Sequence, residues 1–124
     1  MIAGLHHIAL LASEKARTIA FYEALGFQVE RCHIRPERHD EIVFMISAGV
    51  TLEIFVSVGN PARLSYPEAY GLRHLALAVS DAQAAREHLL QSGYQPEPIR
   101  HDAFTDEAMF FVNDPDGLPI EIHE

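Results

Sequence analysis

The sequence predicts an α+β fold of two tandem βαβββ modules, forming a curved, cleft-forming mixed sheet with helices on its outer face. Three observations carry this expectation. The chain repeats itself at an offset of 67 residues: HIALLAS begins at His7 and HLALAVS at His74. Each copy opens with a short aliphatic alternation and continues into an amphipathic helical segment. Each then ends in strand-like runs. Internal repeats take precedence over other signals because they fix the architecture.

The repeat extends well past those two motifs. Ser13 meets Ser80, Gly26 meets Gly93, Phe27 meets Tyr94, Gln28 meets Gln95, Glu30 meets Glu97 and Phe44 meets Phe111. VTLEIF around Glu53 matches LPIEIH around Glu121 at an offset of 68. The first strand of each copy is expected over His6 to Leu11 and His74 to Val79. Ser13 and Ser80 stand where helix N-caps belong, with Ser80 and Gln83 forming a capping box. The helices are KARTIAFYEAL, with Ile19, Phe21, Tyr22 and Leu25 as its apolar face, and AQAAREHLLQS.

Gly26 and Gly93 suit the left-handed residue that closes a helix. The remaining strands are expected at about Gln28 to Ile34, Ile42 to Ser47, Thr51 to Ser57, Glu97 to His101, Ala108 to Asn113 and Pro119 to His123. Asp114-Pro115-Asp116-Gly117 reads as a turn between the last two. The chain is read as a single domain over 1–124: module one 1–58, a Pro- and Gly-containing linker 59–72, and module two 73–124.

At 124 residues the chain is long enough for a real core, and 48% hydrophobic with 22% charged residues is an ordinary globular composition. No apolar run reaches about 18 residues, so no membrane span is expected. The N-terminus lacks a signal-peptide pattern, and the lone Cys32 cannot form an internal disulfide, so a cytoplasmic location is expected. A net charge of −9 argues against nucleic acid, which needs a clustered basic surface. It also disfavours anionic ligands unless arginines gather locally. Arg35, Arg38, Arg63, Arg73 and Arg100 are available for that.

Alternation across a strand puts i and i+2 on one face. His7, Ala9 and Leu11 share a face, as do His74, Ala76 and Ala78. The bulky aliphatics take the other side. Glu53 and Glu121 each sit inside an otherwise apolar strand, where an ionised carboxylate is expensive unless it is paired or ligates a cation. His7, Glu53, His74 and Glu121 thus form a candidate metal set of two imidazoles and two carboxylates. Such a set suits Ni²⁺, Zn²⁺, Co²⁺, Mn²⁺ or Fe²⁺. His6 falls on the aliphatic side. His33, His39 and His101 are placed near loops, His88 on a helix, and His123 beside Glu121 as a supporting partner.

The segments HHIALLASEKARTIAFYEALGF, TLEIF, GLRHLALAVSD and FFVNDPDGLPIEI resemble the vicinal oxygen chelate superfamily, in particular its glyoxalase I (lactoylglutathione lyase) branch. The resemblance spans nearly the whole chain. It implies one divalent ion, Ni or Zn foremost, on His7, Glu53, His74 and Glu121. It also implies lyase or isomerase chemistry on a vicinal-oxygen substrate, such as the hemithioacetal of a 2-oxoaldehyde and a thiol like glutathione. The metal would act as a Lewis acid on the developing enediolate, and Glu53 or Glu121 would be the base, the resemblance favouring Glu121.

Arg35, Arg38 and Arg100 are candidates for the thiol's carboxylates. A homodimer is expected from the same resemblance. Epimerases, dioxygenases and metal-free binding proteins of this superfamily are the alternatives. An epimerase or dioxygenase predicts proton exchange without thiol or dependence on Fe²⁺ and oxygen. A binding protein predicts no metal and tolerance of Glu53→Gln.

Overall fold

The computed structural model describes residues 1–124 and divides into two compact units, Met1–Pro61 and Ala62–Glu124. The first unit runs β1 (Ile8–Ala12), α1 (Lys15–Ala24), β2 (Gln28–Arg35), a 3-10 turn (Pro36–Arg38), β3 (Asp40–Ser47) and β4 (Val50–Val56). The second runs β5 (Leu75–Ala78), α2 (Ala82–Gln91), β6 (Arg100–His101), β7 (Ala108–Asn113) and β8 (Pro119–His123). The sheet orders are β1-β4-β3-β2 and β5-β8-β7-β6. Two βαβββ modules in tandem therefore make an α+β fold, as the repeat predicts. Neither helix is long and apolar enough to cross a membrane.

In each unit the last strand lies between a parallel and an antiparallel neighbour. β4 pairs with β1 in parallel, with Ala9 opposite Glu53, and with β3 antiparallel, with Phe44 opposite Glu53. β8 repeats this register: Ala76 and Phe111 lie opposite Glu121. Alternation then divides each sheet into two faces. On one, Leu52, Ile54, Val43 and Met45 in the first unit and Ile120, Ile122, Phe110 and Val112 in the second are buried. Burying each such side chain stabilises by roughly 1.5–3 kcal/mol. The other face carries the histidines and glutamates.

α1 contributes Phe21 and Tyr22 to the buried layer, and Tyr22 meets Phe27 edge-on at 5.9 Å between ring centroids. Ile19 and Leu25 are only half-buried, whereas Thr18 is buried, so the apolar face is narrower than the sequence predicts. Both helices end alike. Gly26 and Gly93 adopt φ of 91° and 88°, and the next residue's N–H reaches back to the carbonyls of Tyr22 and Leu89, each at 3.0 Å. A side chain at either glycine would strain that left-handed backbone by roughly 1–2 kcal/mol.

Several boundaries differ from the expectations. The N-caps are Glu14 and Asp81, one residue after Ser13 and Ser80. Glu14 accepts from the N–H groups of Ala16 and Arg17 at 2.9 and 2.8 Å, and Asp81 from Ala84 at 2.9 Å. A carboxylate satisfies these orphan donors better than a hydroxyl placed one residue too early. Those same bonds, Arg17's first, hold the Glu14 carboxyl below its usual pKa. Gln83 bonds Glu87 instead of closing a capping box.

β6 is confined to Arg100–His101 because Pro96 and Pro98 offer no N–H to the ladder. Only Glu97 reaches across upstream of it, donating to Phe111 at 2.8 Å. β1 and β5 start one residue after His7 and His74, so the two histidines stand at strand entrances. His33 and His101 lie on exposed strands near their ends, as expected. Asp114 forms the expected turn: its buried carboxylate accepts from the N–H groups of Asp116 and Leu118, both at 2.9 Å.

Candidate metal centre

Each unit presents one histidine–glutamate pair on its open sheet face. His7 Nε2 lies 2.9 Å from Glu53 Oε2, and His74 Nε2 lies 2.8 Å from Glu121 Oε2. The register explains the match. Each glutamate sits opposite the residue two places after its histidine, Ala9 or Ala76, so the pair meets on a diagonal across two parallel strands. The small alanine leaves that space open.

The pairs are accessible without being fully solvated. Side-chain exposure is 40% and 19% for His7 and Glu53, and 26% and 13% for His74 and Glu121. Two donors at right angles around an ion, each about 2.1 Å from it, lie about 3 Å apart. The observed separations fit that bite, and imidazole nitrogen with carboxylate oxygen suits a borderline divalent ion. No group of three or more His, Cys, Asp or Glu side chains able to hold a metal is present in the structure. Each unit presents a two-donor pair.

The halves differ in what surrounds them. Beside Glu53, two residues along β4, stands Phe55, with the Arg35 guanidinium 5.1 Å from its ring centre. Arg35 is committed to Asp40 through paired bonds of 2.8 and 2.6 Å, which hold the Asp40 carboxyl below its usual range. Its charge is thereby compensated by Asp40. Arg38 sits on the exposed 3-10 turn.

In the second unit His123 takes the place of Phe55. Its Nε2 lies 3.9 Å from Glu121 Oε1 and 3.2 Å from Asp102 Oδ2, while Nδ1 meets the Glu124 carbonyl at 2.7 Å. His123 is thus the neighbour of Glu121 that the sequence expected. Asp102 and Glu107, the latter 3.6 Å from His123 Nδ1, were not foreseen, because no periodicity brings a loop carboxylate to a given strand residue.

The Glu124 carbonyl and then Asp102 raise the His123 pKa above its ordinary value of 6.5, partly opposed by desolvation. Asp102 is lowered, chiefly by the Phe104 N–H and then by His123. A raised folded pKa means that protonated His123 stabilises the fold fully below about pH 6.5, and that this contribution is lost as pH rises through the folded value. The melting temperature of chelator-treated protein is expected to fall across that window. His123→Phe should flatten the decline, and an unchanged slope in that variant would exclude His123 as its source.

The histidines and arginines around the second half are denser than sequence reasoning gathered. A cleft of about 350 Å³ within this unit is lined by Arg63, Arg73, Arg100, Glu68, His74 and Phe111 among others. The adjacency of Arg73 to His74 was a legible signal. The convergence of Arg63 and Arg100 was not.

Comparison with known proteins adds the following. The profile of the Glyoxalase/Bleomycin resistance protein/Dioxygenase superfamily matches residues 4–122. The solved structure of the glyoxalase family protein from Enterococcus faecalis superposes with a TM-score of 0.92 at 46% identity, covering 98% of each chain. The uncharacterized protein YaeR of Escherichia coli (strain K12) is 40% identical over 121 residues, 96% of this chain and 94% of YaeR. The lactoylglutathione lyase of Salmonella typhimurium is 30% identical over 124 residues, 95% of this chain and 90% of that enzyme.

Proposed function

The chain belongs to the Glyoxalase/Bleomycin resistance protein/Dioxygenase superfamily, and from that premise we propose a divalent-metal-dependent lyase or isomerase of the lactoylglutathione lyase type. The observation that carries the reading is the repeated His–Glu pair, at 2.9 and 2.8 Å, on the same register of both sheets. In this proposal His7, Glu53, His74 and Glu121 are the ligands, two from each repeat, since a two-donor half alone is too few for a stable site. Ni²⁺ or Zn²⁺ is the foremost candidate, and a homodimer is part of the reading. The relationship to lactoylglutathione lyase supports the choice of chemistry.

A bound divalent ion would supply Lewis acidity to two vicinal substrate oxygens. The chain's own part is proton transfer and orientation. Glu121 is assigned as the base. It takes the proton from the hydroxyl-bearing carbon of a hemithioacetal and returns it to the neighbouring carbon, giving a 2-hydroxy thioester. The asymmetry between the halves supports this assignment over Glu53. Glu121 Oε1 has an imidazole at 3.9 Å, itself anchored by Asp102, whereas the matching place beside Glu53 is the phenyl ring of Phe55. A polar neighbour can orient a carboxylate toward the carbon whose proton it takes.

The test is to assay methylglyoxal plus glutathione by thioester formation, with protein first stripped and then supplied with Ni²⁺ or Zn²⁺. The proposal expects turnover that appears on loading and disappears on chelation. Loaded protein that binds its metal yet forms no thioester would overturn the substrate assignment.

A further inference from the structure

We propose that His6 is a positioning residue for the metal centre: it accepts a hydrogen bond from His7 and so holds that ring with a bare Nε2 toward Glu53. The inference rests on the proposed function in taking His7 as a ligand. It starts from where β1 begins. Inside a strand, neighbouring side chains leave on opposite faces, which would send His6 to the aliphatic side. β1 starts at Ile8, so the two histidines precede the ladder and that alternation does not bind them. Their rings meet edge-on instead, with 80° between planes, 5.1 Å between centroids and 2.8 Å from Nδ1 to Nδ1.

Two imidazole nitrogens at that distance share one proton, since two facing N–H groups or two facing lone pairs would repel. Which ring donates follows from the other side of His7. Its Nε2 lies 2.9 Å from Glu53 Oε2, the separation that suits one ion between them. A nitrogen that ligates gives its lone pair to the metal and carries no proton, so the ring's single proton is on Nδ1. His7 therefore donates, and His6 accepts through Nδ1 with its own proton on Nε2. A ligating imidazole draws its tautomer, ring orientation and donor strength from such an acceptor.

The two repeats differ in their need for this device. The His7 side chain is 40% exposed and stands outside a strand, so an unheld ring would have to be ordered when the ion binds. His74 is 26% exposed and meets Phe111 edge-on at 5.2 Å. Arg73 holds the place of His6 in the second copy. A guanidinium has no acceptor, and the Nε of Arg73 donates to Glu68 at 2.6 Å. The second copy cannot repeat the arrangement.

The test is zinc affinity, by competition with a chromogenic chelator at about pH 8, above the ordinary imidazole range. Wild type is compared with His6→Ala, His6→Phe and His6→Asn. Phe keeps a ring without an acceptor, whereas Asn returns an acceptor oxygen near the place of Nδ1. His6→Ala and His6→Phe should bind zinc about 10- to 100-fold more weakly, and His6→Asn should regain most of that loss. In zinc-loaded, isotope-labelled wild type, a nitrogen–nitrogen coupling across the hydrogen bond should link the two Nδ1 atoms, with the proton on His7.

Full affinity in His6→Phe would reduce His6 to bulk and overturn the proposal. So would a loss in His6→Asn as large as in His6→Ala, or the absence of that coupling. Each of these outcomes leaves the metal centre standing. Wild type that binds no zinc under any loading condition would instead overturn the metal centre, and this inference with it.

Discussion

Glu121→Gln is expected to lower kcat by at least about 10³ while leaving the melting temperature near that of wild type. The amide keeps the shape and one ligating oxygen but cannot accept a proton, and a positioned general base contributes about 10² to 10⁴ in rate. Weaker ligation adds to that loss. Glu53→Gln should lose the ligation component alone. The two variants are equivalent in the repeat, since each glutamate faces a phenylalanine across the antiparallel ladder and an alanine across the parallel one. Any large difference in kcat therefore comes from what breaks the symmetry, His123 and Asp102 against Phe55 and Arg35. Steady-state kinetics on metal-saturated proteins gives the answer. Equal losses would remove the assignment of Glu121 as sole base, and a larger loss in Glu53→Gln would reverse it.

His74→Ala should weaken metal binding by more than about 100-fold. Changing a residue that merely supports a ligand typically costs 10- to 100-fold in affinity, and removing a ligand itself exceeds that. His74 stands edge-on to Phe111, 5.2 Å between ring centroids, so its truncation also loosens the wall of the half-site. His7→Ala should show a similar loss, because its pair has the same geometry. A competition titration with a chromogenic chelator measures both. Affinity unchanged in either variant would remove that histidine from the ligand set. His6 is the informative control: its Nδ1 lies 2.8 Å from that of His7, but it has no glutamate partner. Because His6 supports a ligand without being one, His6→Ala should cost no more than about 10- to 100-fold, less than His7→Ala.

How much of this was legible in the sequence follows from how each feature is encoded. The two-residue alternation around His7 and His74 sets which face each histidine takes, and the structure keeps that parity: Ile8 and Leu10 are more covered than Ala9 and Leu11. The 67-residue repeat gave the module order because each copy carries the same local signals. Helix starts were misplaced by one residue because Ser13-Glu14 and Ser80-Asp81 each offer two adjacent capping side chains, and only the tertiary position of the preceding strand selects between them. β6 was drawn too long because proline's missing N–H outweighed the alternation of EPIRH.

The site was legible in part for a related reason. Glu53 and Glu121 occupy strand positions, and His7 and His74 immediately precede strands, where register follows from the pattern. Asp102 and Arg63 lie in connecting segments, whose paths no periodicity specifies. Arg35 shows the converse: its charge is plain in the sequence, but the bidentate pairing with Asp40 that neutralises it arises only when β2 folds against β3.

The most direct test of the account is the metal content of the intact protein by native mass spectrometry, after loading with Ni²⁺ or Zn²⁺ and removal of the excess. The account predicts one divalent ion for each His7–Glu53–His74–Glu121 set, hence one per chain, on a dimer. It further predicts that the ion is lost in His74→Ala and in Glu121→Gln combined with Glu53→Gln. A wild-type spectrum with no bound ion under any loading condition would contradict the central claim and leave a protein that uses its open sheet faces for binding without a metal.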